Sequence, residues 1–186
     1  MGRCTVFRAA VLVLLAAGLA MAQSPKYKVG KPATASDIAQ RDHFVSPDGK
    51  GLPPGKGTAA DGKSVYERRC ATCHGSEGKG KDEVPLVGGQ GTLATPKPLK
   101  TVGSYWPYAT TLFDYVNRAM PFDNPGLLTY DQVYAVSALI LNWNGIIGEY
   151  EVMDASTLAK VKMPNRDGFV SDARPDTGKQ KKKPKS

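Results

Sequence analysis

Apolar residues recur at helical spacing in three stretches of the chain. In the first stretch, Asp61 is a candidate helix N-cap, and Val65, Tyr66 and Cys70 follow at intervals typical of a helix. The pattern predicts a helix that starts at Asp61 and ends at Cys70. The residues directly after Cys70 would therefore lie at the end of this helix.

A second helix is predicted to open at residues 106–108, with Ser104 as its candidate cap. Leu112 and Val116 are core positions of this helix, and Pro121 ends it directly after Met120, because proline cannot continue a helix. Met120 is therefore predicted to lie at the C-terminal end of this helix.

The third helix has the strongest sequence signals. Thr129 and Gln132 form a capping-box pattern at its start. A run of apolar residues follows, and Asn144-Gly145 is a typical helix end. Together the three helices predict an all-α domain over residues 61–148, followed by a C-terminal extension over residues 149–174.

The first 22 residues resemble a secretory signal peptide. Arg3 and Arg8 form a basic start, residues 9–22 are almost wholly apolar, and Ala20-Met21-Ala22 is a small-x-small cleavage site. The alternative is a membrane anchor, but the fourteen apolar positions are fewer than the roughly 20 that span a bilayer. We expect cleavage and export to the periplasm, without a membrane anchor afterwards.

Residues 23–60 are rich in Pro, Gly, Lys and Asp and predict an extended arm. Ala33 to Ala39 is a candidate short helix, with Thr34 or Ser36 as its cap. Such an arm has too few apolar residues to form a core of its own. It either wraps a partner protein or acts as a spacer.

The positive charge is concentrated at the C-terminus. Loss of Arg3 and Arg8 with the signal peptide would lower the formal net charge from +8 to +6, and residues 175–186 carry five lysines against one aspartate. This lysine-rich tail is predicted to be disordered. Nucleic-acid binding is not indicated, because the charge forms a terminal tail rather than a basic face with interleaved aromatic residues.

The strongest chemical signal is Cys70-Ala71-Thr72-Cys73-His74. Two thiols at this spacing followed by an imidazole predict covalent attachment of one haem c. A thioredoxin-like dithiol would need a βαβ pattern, which is not visible. A zinc site would need further soft ligands, and the chain has no cysteine or histidine after His74.

Glycines recur from Gly75 to Gly91 and suit a loop that passes close to a flat cofactor. A phosphate-binding loop is the competing reading, but no strand precedes these glycines and no Gly-Lys-Ser/Thr follows. Pro85-Leu86 is the predicted source of a backbone carbonyl for the other ring N–H of His74. The proline could equally be an ordinary turn residue.

A second axial ligand could come from Met120, Met153, Met163 or His43. Met120 is preferred because it lies 46 residues after His74, at a helix end before a proline. Met163 also precedes a proline and is the second choice, while His43 lies in the predicted arm. Two axial side chains leave no open iron position for substrate, so the chemistry expected is transfer of one electron.

The chain resembles the class I cytochromes c in the 70–74 motif, Pro85 and Met120-Pro121. Longer stretches resemble the cytochrome c subunit of Sox-type sulfane dehydrogenases and related sulfite dehydrogenase cytochromes. They are Pro47-Asp48-Gly49, Gly51-Leu52-Pro53-Pro54-Gly55, Gly88-Gly89-Gln90-Gly91-Thr92-Leu93, Lys100 to Thr111, and Arg118-Ala119-Met120-Pro121-Phe122.

The resemblance implies a non-catalytic subunit that accepts electrons from a molybdenum-containing sulfane or sulfite dehydrogenase subunit and passes them to a soluble cytochrome. It implies that Cys70 and Cys73 form the haem thioethers, that His74 is the proximal iron ligand and that Met120 is the distal one. Larger members carry a second cytochrome domain, whereas this chain has one haem motif. The alternative is a diffusible electron carrier without a dedicated dehydrogenase. Haem-based catalysis on a sulfur compound ranks last.

Overall fold

The computed structural model describes residues 29–172. The predicted signal peptide at 1–22 and the lysine-rich tail at 175–186 lie outside these residues. The chain divides into two units, residues 1–41 and residues 42–186. Over the described residues the structure is mainly helical, with one two-stranded ladder of two residues per strand, which confirms the predicted all-α class.

In the first unit, helix α1 spans Ala35–Arg41. The N–H of Asp37 donates to Thr34 Oγ1 at 3.1 Å, and the N–H of Thr34 donates to the Asp37 carboxylate at 2.9 Å. The predicted short helix is therefore confirmed two residues further along the chain, with Thr34 as its cap.

In the second unit, helix α2 spans Ala59–Arg69 and begins earlier than predicted. Thr58 is the N-cap, and its hydroxyl accepts the N–H of Asp61 at 3.2 Å. Asp61 occupies the third helical position, where its carboxylate accepts the N–H of Thr58 at 3.0 Å. The prediction of Asp61 as N-cap was wrong because a reciprocal capping box starts three residues upstream.

Helix α2 continues into a single turn, α3, at Ala71–His74, and it packs closely on a later helix, α5, at Tyr130–Trp143. Glycine at position 62 permits this approach, because a Cβ there would lie 2.3 Å from the Ala135 carbonyl oxygen. The contact buries Tyr66 and most of α5 in the core. It also holds the C-terminal end of α2, and with it residue 70, against the core.

Helix α4 spans Ala109–Ala119 and ends before Pro121, as predicted. Its N-cap is Tyr108 rather than Ser104, and Tyr108 makes no side-chain capping bond. Ser104 instead accepts the N–H of Thr101 at 2.9 Å and donates to the Leu99 carbonyl at 2.6 Å. The hydroxyl stabilises the loop before the helix and is not available as its cap.

The capping box predicted for α5 is confirmed. The N–H of Thr129 donates to the Gln132 side chain at 3.0 Å, and the N–H of Gln132 donates to Thr129 Oγ1 at 3.3 Å. The helix ends at Asn144, its C-cap, and Gly145 follows with a φ of +68°. Both ends of α5 therefore follow from residues adjacent in sequence.

The second half of the predicted arm contacts the helices of its unit. Strand β1, Lys56–Gly57, pairs antiparallel with β2, Met153–Asp154. Val45 is buried, and its N–H donates to Asp114 Oδ1 on α4 at 3.0 Å. Residues 45–57 and the start of the 149–174 extension thus pack on one core, and a 3-10 turn at Leu158–Lys160 follows β2.

Candidate functional site

The motif at residues 70–74 lies at the junction of α2 and α3. Cys70 is both the C-cap of α2 and the N-cap of α3, with φ −125° and ψ −38°. The N–H groups of Cys73 and His74 donate to the Cys70 carbonyl at 3.2 and 3.0 Å. One tight turn therefore presents both thiols and the imidazole from a helix that is anchored in the core.

Both thiols are free. Cys70 is half-buried, and Cys73 is exposed. Burial, together with the neighbouring Cys73, raises the pKa of Cys70 to about 11. Cys70 is therefore not the low-pKa, activated thiol that a redox-active dithiol uses as its nucleophile.

The imidazole of His74 faces a backbone carbonyl on the glycine-rich loop. Its Nδ1 lies 3.3 Å from the carbonyl oxygen of Val84. A carbonyl can only accept a hydrogen bond, so this contact requires a proton on Nδ1. The lone pair of Nε2 is then free to bind a metal.

The sequence predicted the carbonyl at Pro85 or Leu86, and the structure corrects this to Val84. The Leu86 carbonyl accepts a hydrogen bond from the side chain of Asn144 at 3.2 Å. The N–H groups of Leu86 and Val87 both donate to the Gly78 carbonyl, at 2.7 and 3.1 Å. These bonds direct Leu86 toward α5 and Gly78, and Val84 is the residue that reaches the imidazole.

The loop returns to the motif through its backbone. The N–H of Gly80 donates to the His74 carbonyl at 2.9 Å, and those of Asp82 and Glu83 donate to the Cys73 carbonyl at 3.0 Å. Gly75 has a φ of +79°, and a Cβ there would lie 2.9 Å from the Gly80 carbonyl oxygen. This turn requires glycine at position 75 for both its conformation and its space.

Two aromatic residues support the motif from the core side. Tyr66 on α2 donates its hydroxyl to the Gly75 carbonyl at 3.1 Å, and burial raises its pKa. The Trp143 ring on α5 packs edge-on against Tyr66, with ring centroids 4.8 Å apart. The Tyr66 hydroxyl is therefore protonated at neutral pH. Its hydrogen bond connects Gly75, the residue after His74, to the packed helices α2 and α5.

The candidate distal ligands differ in their surroundings. Met120 is the C-cap of α4, half-buried and packed on the edge of the core. Met153 and Met163 are only 1% and 3% exposed and lie within the core. His43 is exposed and lines a surface cavity of about 690 Å³ with Arg118 and Tyr130.

Half-buried apolar residues adjoin the core near the motif and at the end of α4. Cys70, Leu86, Trp106 and Met120 all pack against the core while remaining partly open to solvent. Partly covered apolar side chains of this kind suit contact with a flat apolar group. Free thiols at positions 70 and 73 and an imidazole with an available Nε2 provide the covalent and axial bonds of a c-type haem. The residues therefore fit a covalently bound haem.

Other metal centres have less support. Within residues 29–172, no group of three or more His, Cys, Asp or Glu side chains is arranged to hold a metal ion.

No helix in the same part of the chain is long and apolar enough to cross a membrane.

Sequence reasoning missed the contribution of Asn144. The Asn-Gly pair predicts only a helix end, but the Asn144 side chain also bonds the loop at Leu86 and Gly88. Helix caps and long-range contacts use the same short polar side chains. The only available signal was the position of Asn144 directly after the apolar helix.

Comparison with known proteins gives one family and one structure. The cytochrome c family matches residues 59–144. One chain of the crystal structure of the sulfane dehydrogenase SoxCD from Paracoccus pantotrophus is 41% identical, with a TM-score of 0.74. The match covers 82% of this chain and 75% of that one. No curated protein matches the chain significantly.

Proposed function

Since this chain belongs to the class I c-type cytochromes, we propose that it is a periplasmic carrier of single electrons with one covalently bound haem c. The observation that carries the proposal is the turn at residues 70–74. It presents two free thiols and an imidazole whose Nδ1 is held by the Val84 carbonyl. Free thiols and an oriented imidazole suit haem attachment better than a dithiol or a zinc function.

In this proposal, Cys70 and Cys73 form the two thioether bonds and His74 is the proximal ligand. Met120 is the distal ligand, supported by its half-buried position at the end of α4. When bound, the haem supplies an iron that alternates between Fe(III) and Fe(II) as one electron enters and leaves. The side chains determine the potential by their ligation and exclude water from the iron, and no general acid or base is required.

We further propose that the electrons come from a molybdenum-containing subunit that oxidises sulfane sulfur or sulfite. The support is the extent of the likeness to the SoxCD chain, which reaches well beyond the 59–144 cytochrome region. This chain would then be the electron-transfer subunit of the dehydrogenase and would pass electrons to a soluble cytochrome.

The test is metal analysis of the native protein isolated gently from the periplasm. We expect haem iron and molybdenum to elute together in one chromatographic peak at low salt. Addition of thiosulfate or sulfite to that anaerobic peak should then reduce the haem, as seen in its absorption spectrum. The purified chain alone, given the same compounds, is the control and should stay oxidised.

If the peak contains haem iron without molybdenum even when the isolation is repeated at low salt, the result would contradict the proposed role as a dehydrogenase subunit. It would favour a diffusible carrier. Rapid reduction of the isolated chain by the sulfur compound, together with a change in the ferric spectrum that depends on that compound, would contradict both, because it indicates an iron position open to substrate. Protein without covalent haem would refute the assignment of Cys70 and Cys73.

A further inference from the structure

We propose that Asn144 is a positioning residue for His74. Its side-chain amide holds residues 86–88 so that the Val84 carbonyl remains on Nδ1 of the imidazole. This inference rests on the proposed role of His74 as an iron ligand. It goes beyond that role by identifying which distant side chain determines the strength of the ligand.

Asn144 projects from a helix end with a defined geometry. The N–H of Gly145 donates to the Asn142 carbonyl at 2.8 Å, and the N–H of Ile146 donates to the Leu141 carbonyl at 3.0 Å. This pair of bonds is the Schellman arrangement, with Gly145 in the left-handed conformation that it requires. The end of α5 is therefore a rigid base for the Asn144 side chain.

The Asn144 amide uses both its donor and its acceptor atoms. Nδ2 donates to the Leu86 carbonyl at 3.2 Å and to the Ile140 carbonyl of α5 at 2.8 Å. Oδ1 accepts the N–H of Gly88 at 3.0 Å. One side chain thus joins the helix to the loop on both sides of residue 87, through contacts 56 and 58 positions apart in sequence.

The space around this amide leaves it little freedom. Gly103 faces it, and a Cβ at position 103 would lie 2.0 Å from Asn144 Oδ1 and 2.8 Å from Asn144 Cβ. The second distance involves an atom next to the backbone, which cannot rotate away. Only glycine at position 103 therefore leaves room for the Asn144 amide in its observed position.

The Val84 carbonyl depends on its neighbours for its position. The Val84 residue is 68% exposed, so its own packing contributes little. Pro85 follows it and restricts the backbone between Val84 and Leu86, which is the first residue bonded to Asn144. A displacement of Leu86 is therefore transmitted to the carbonyl of Val84.

The contact with His74 is sensitive to such a displacement. Its length of 3.3 Å lies beyond the usual 2.9–3.0 Å of an N–H···O bond, so a small further movement breaks it. A bond from Nδ1–H to a carbonyl raises the basicity of the imidazole as a ligand. Because a more basic ligand stabilises Fe(III), loss of this bond should raise the reduction potential.

The test is N144D in the full mature protein with its haem. The introduced carboxylate has nearly the same size and still accepts the Gly88 N–H, but it cannot donate to the Leu86 carbonyl. We expect hydrogen exchange of the His74 Nδ1–H, followed by NMR, to accelerate roughly tenfold, as expected for loss of one hydrogen bond. The carboxylate charge by itself favours Fe(III), so the expected upward shift of the midpoint potential is measured by redox titration in G103A, which adds no charge.

Q90A is the matched control. The Gln90 side chain also bonds Asn144, at Oδ1 and at the main-chain carbonyl, with distances of 3.2 and 3.1 Å. Its removal leaves the bonds from Asn144 to Leu86 and Gly88 in place. We expect wild-type exchange and potential for Q90A, and equal effects of Q90A and N144D would overturn the proposal.

G103A is a second variant that displaces the Asn144 amide without changing it, and it decides the question if N144D does not fold. It should accelerate the exchange as N144D does and, because it adds no charge, it should raise the midpoint potential. Unchanged exchange and potential in the folded variants would overturn the positioning role while leaving the proposed function intact. A wild-type protein without a His-ligated haem spectrum would refute the proposed function, and this inference with it.

Discussion

At the scale of single residues, Met120 differs from Met153 and Met163 in being only partly covered. A sulfur that binds iron has to project from the edge of the core, whereas a methionine that fills space is enclosed on all sides. Met153 and Met163 are enclosed, and Met120 lies at the edge, where α4 ends. The surroundings therefore favour the methionine that sequence position had already singled out.

Met120→Ala should lower the reduction potential, because thioether ligation favours Fe(II). We expect a decrease of more than about 59 mV, which corresponds to a tenfold change in the relative stability of the two oxidation states. Redox titration measures the shift, and exogenous imidazole should then bind the iron. Met163→Leu is the control, since it keeps an apolar side chain in the core and should leave the potential unchanged.

At the scale of elements, the helix that carries the motif begins with a reciprocal cap. Thr58 and Asp61 each satisfy a backbone N–H of the other, which leaves fewer unpaired donors in the first turn of α2. The hydroxyl and N–H of Thr58 also lower the pKa of Asp61. The start of this helix is therefore stabilised by a carboxylate that must be ionised.

Asp61→Ala should lower the free energy of unfolding by about 1 kcal/mol at neutral pH. The pKa of Asp61 is lower in the folded than in the unfolded chain, so its contribution is present at neutral pH. It is lost as the pH falls below about 4 toward the folded value. Denaturant unfolding at pH 7 and pH 3 should show a difference that shrinks in acid.

The control for this prediction is Ser64→Ala, a change at an exposed position in the middle of the same helix. It should change stability by no more than about 0.5 kcal/mol at either pH. A deficit for Asp61→Ala that is equally large at pH 3 would show that the carboxylate charge is not what stabilises the helix.

At the scale of the whole second unit, Asp114 joins segments that are far apart in sequence. The residue is only 6% exposed. Its carboxylate accepts the N–H of Val45 from 69 positions away and pairs with Arg118 on the next turn of α4. The paired guanidinium compensates part of the cost of burying this charge. One side chain thus holds the segment before β1 against the helix that ends at Met120.

Asp114→Ala should destabilise the protein by about 2 to 3 kcal/mol, because it leaves a buried N–H and a guanidinium without their acceptor. Asp114→Asn should cost less, since its amide oxygen can still accept the Val45 N–H. Chemical denaturation followed by circular dichroism measures both. Equal losses for the two variants would assign the stability to the ion pair rather than to the bond with Val45.

Elements whose signals are local could be predicted from the amino-acid sequence alone. The capping box at Thr129, the end of α5 at Asn144-Gly145 and the end of α4 before Pro121 all agree with the structure. Each depends on bonds or steric limits among residues within about five positions of one another. The 70–74 motif is local in the same sense, so its chemistry could be read without a structure.

Contacts between groups that are far apart in the chain became apparent only in the three-dimensional structure. It placed the Val84 carbonyl on His74, the Asn144 amide on residues 86–88, and Val45 on Asp114. The last two pairs are more than 50 positions apart, and no periodic pattern relates their members. Short polar side chains serve equally as caps and as long-range partners, so their role depends on what packing brings within 3.5 Å of them.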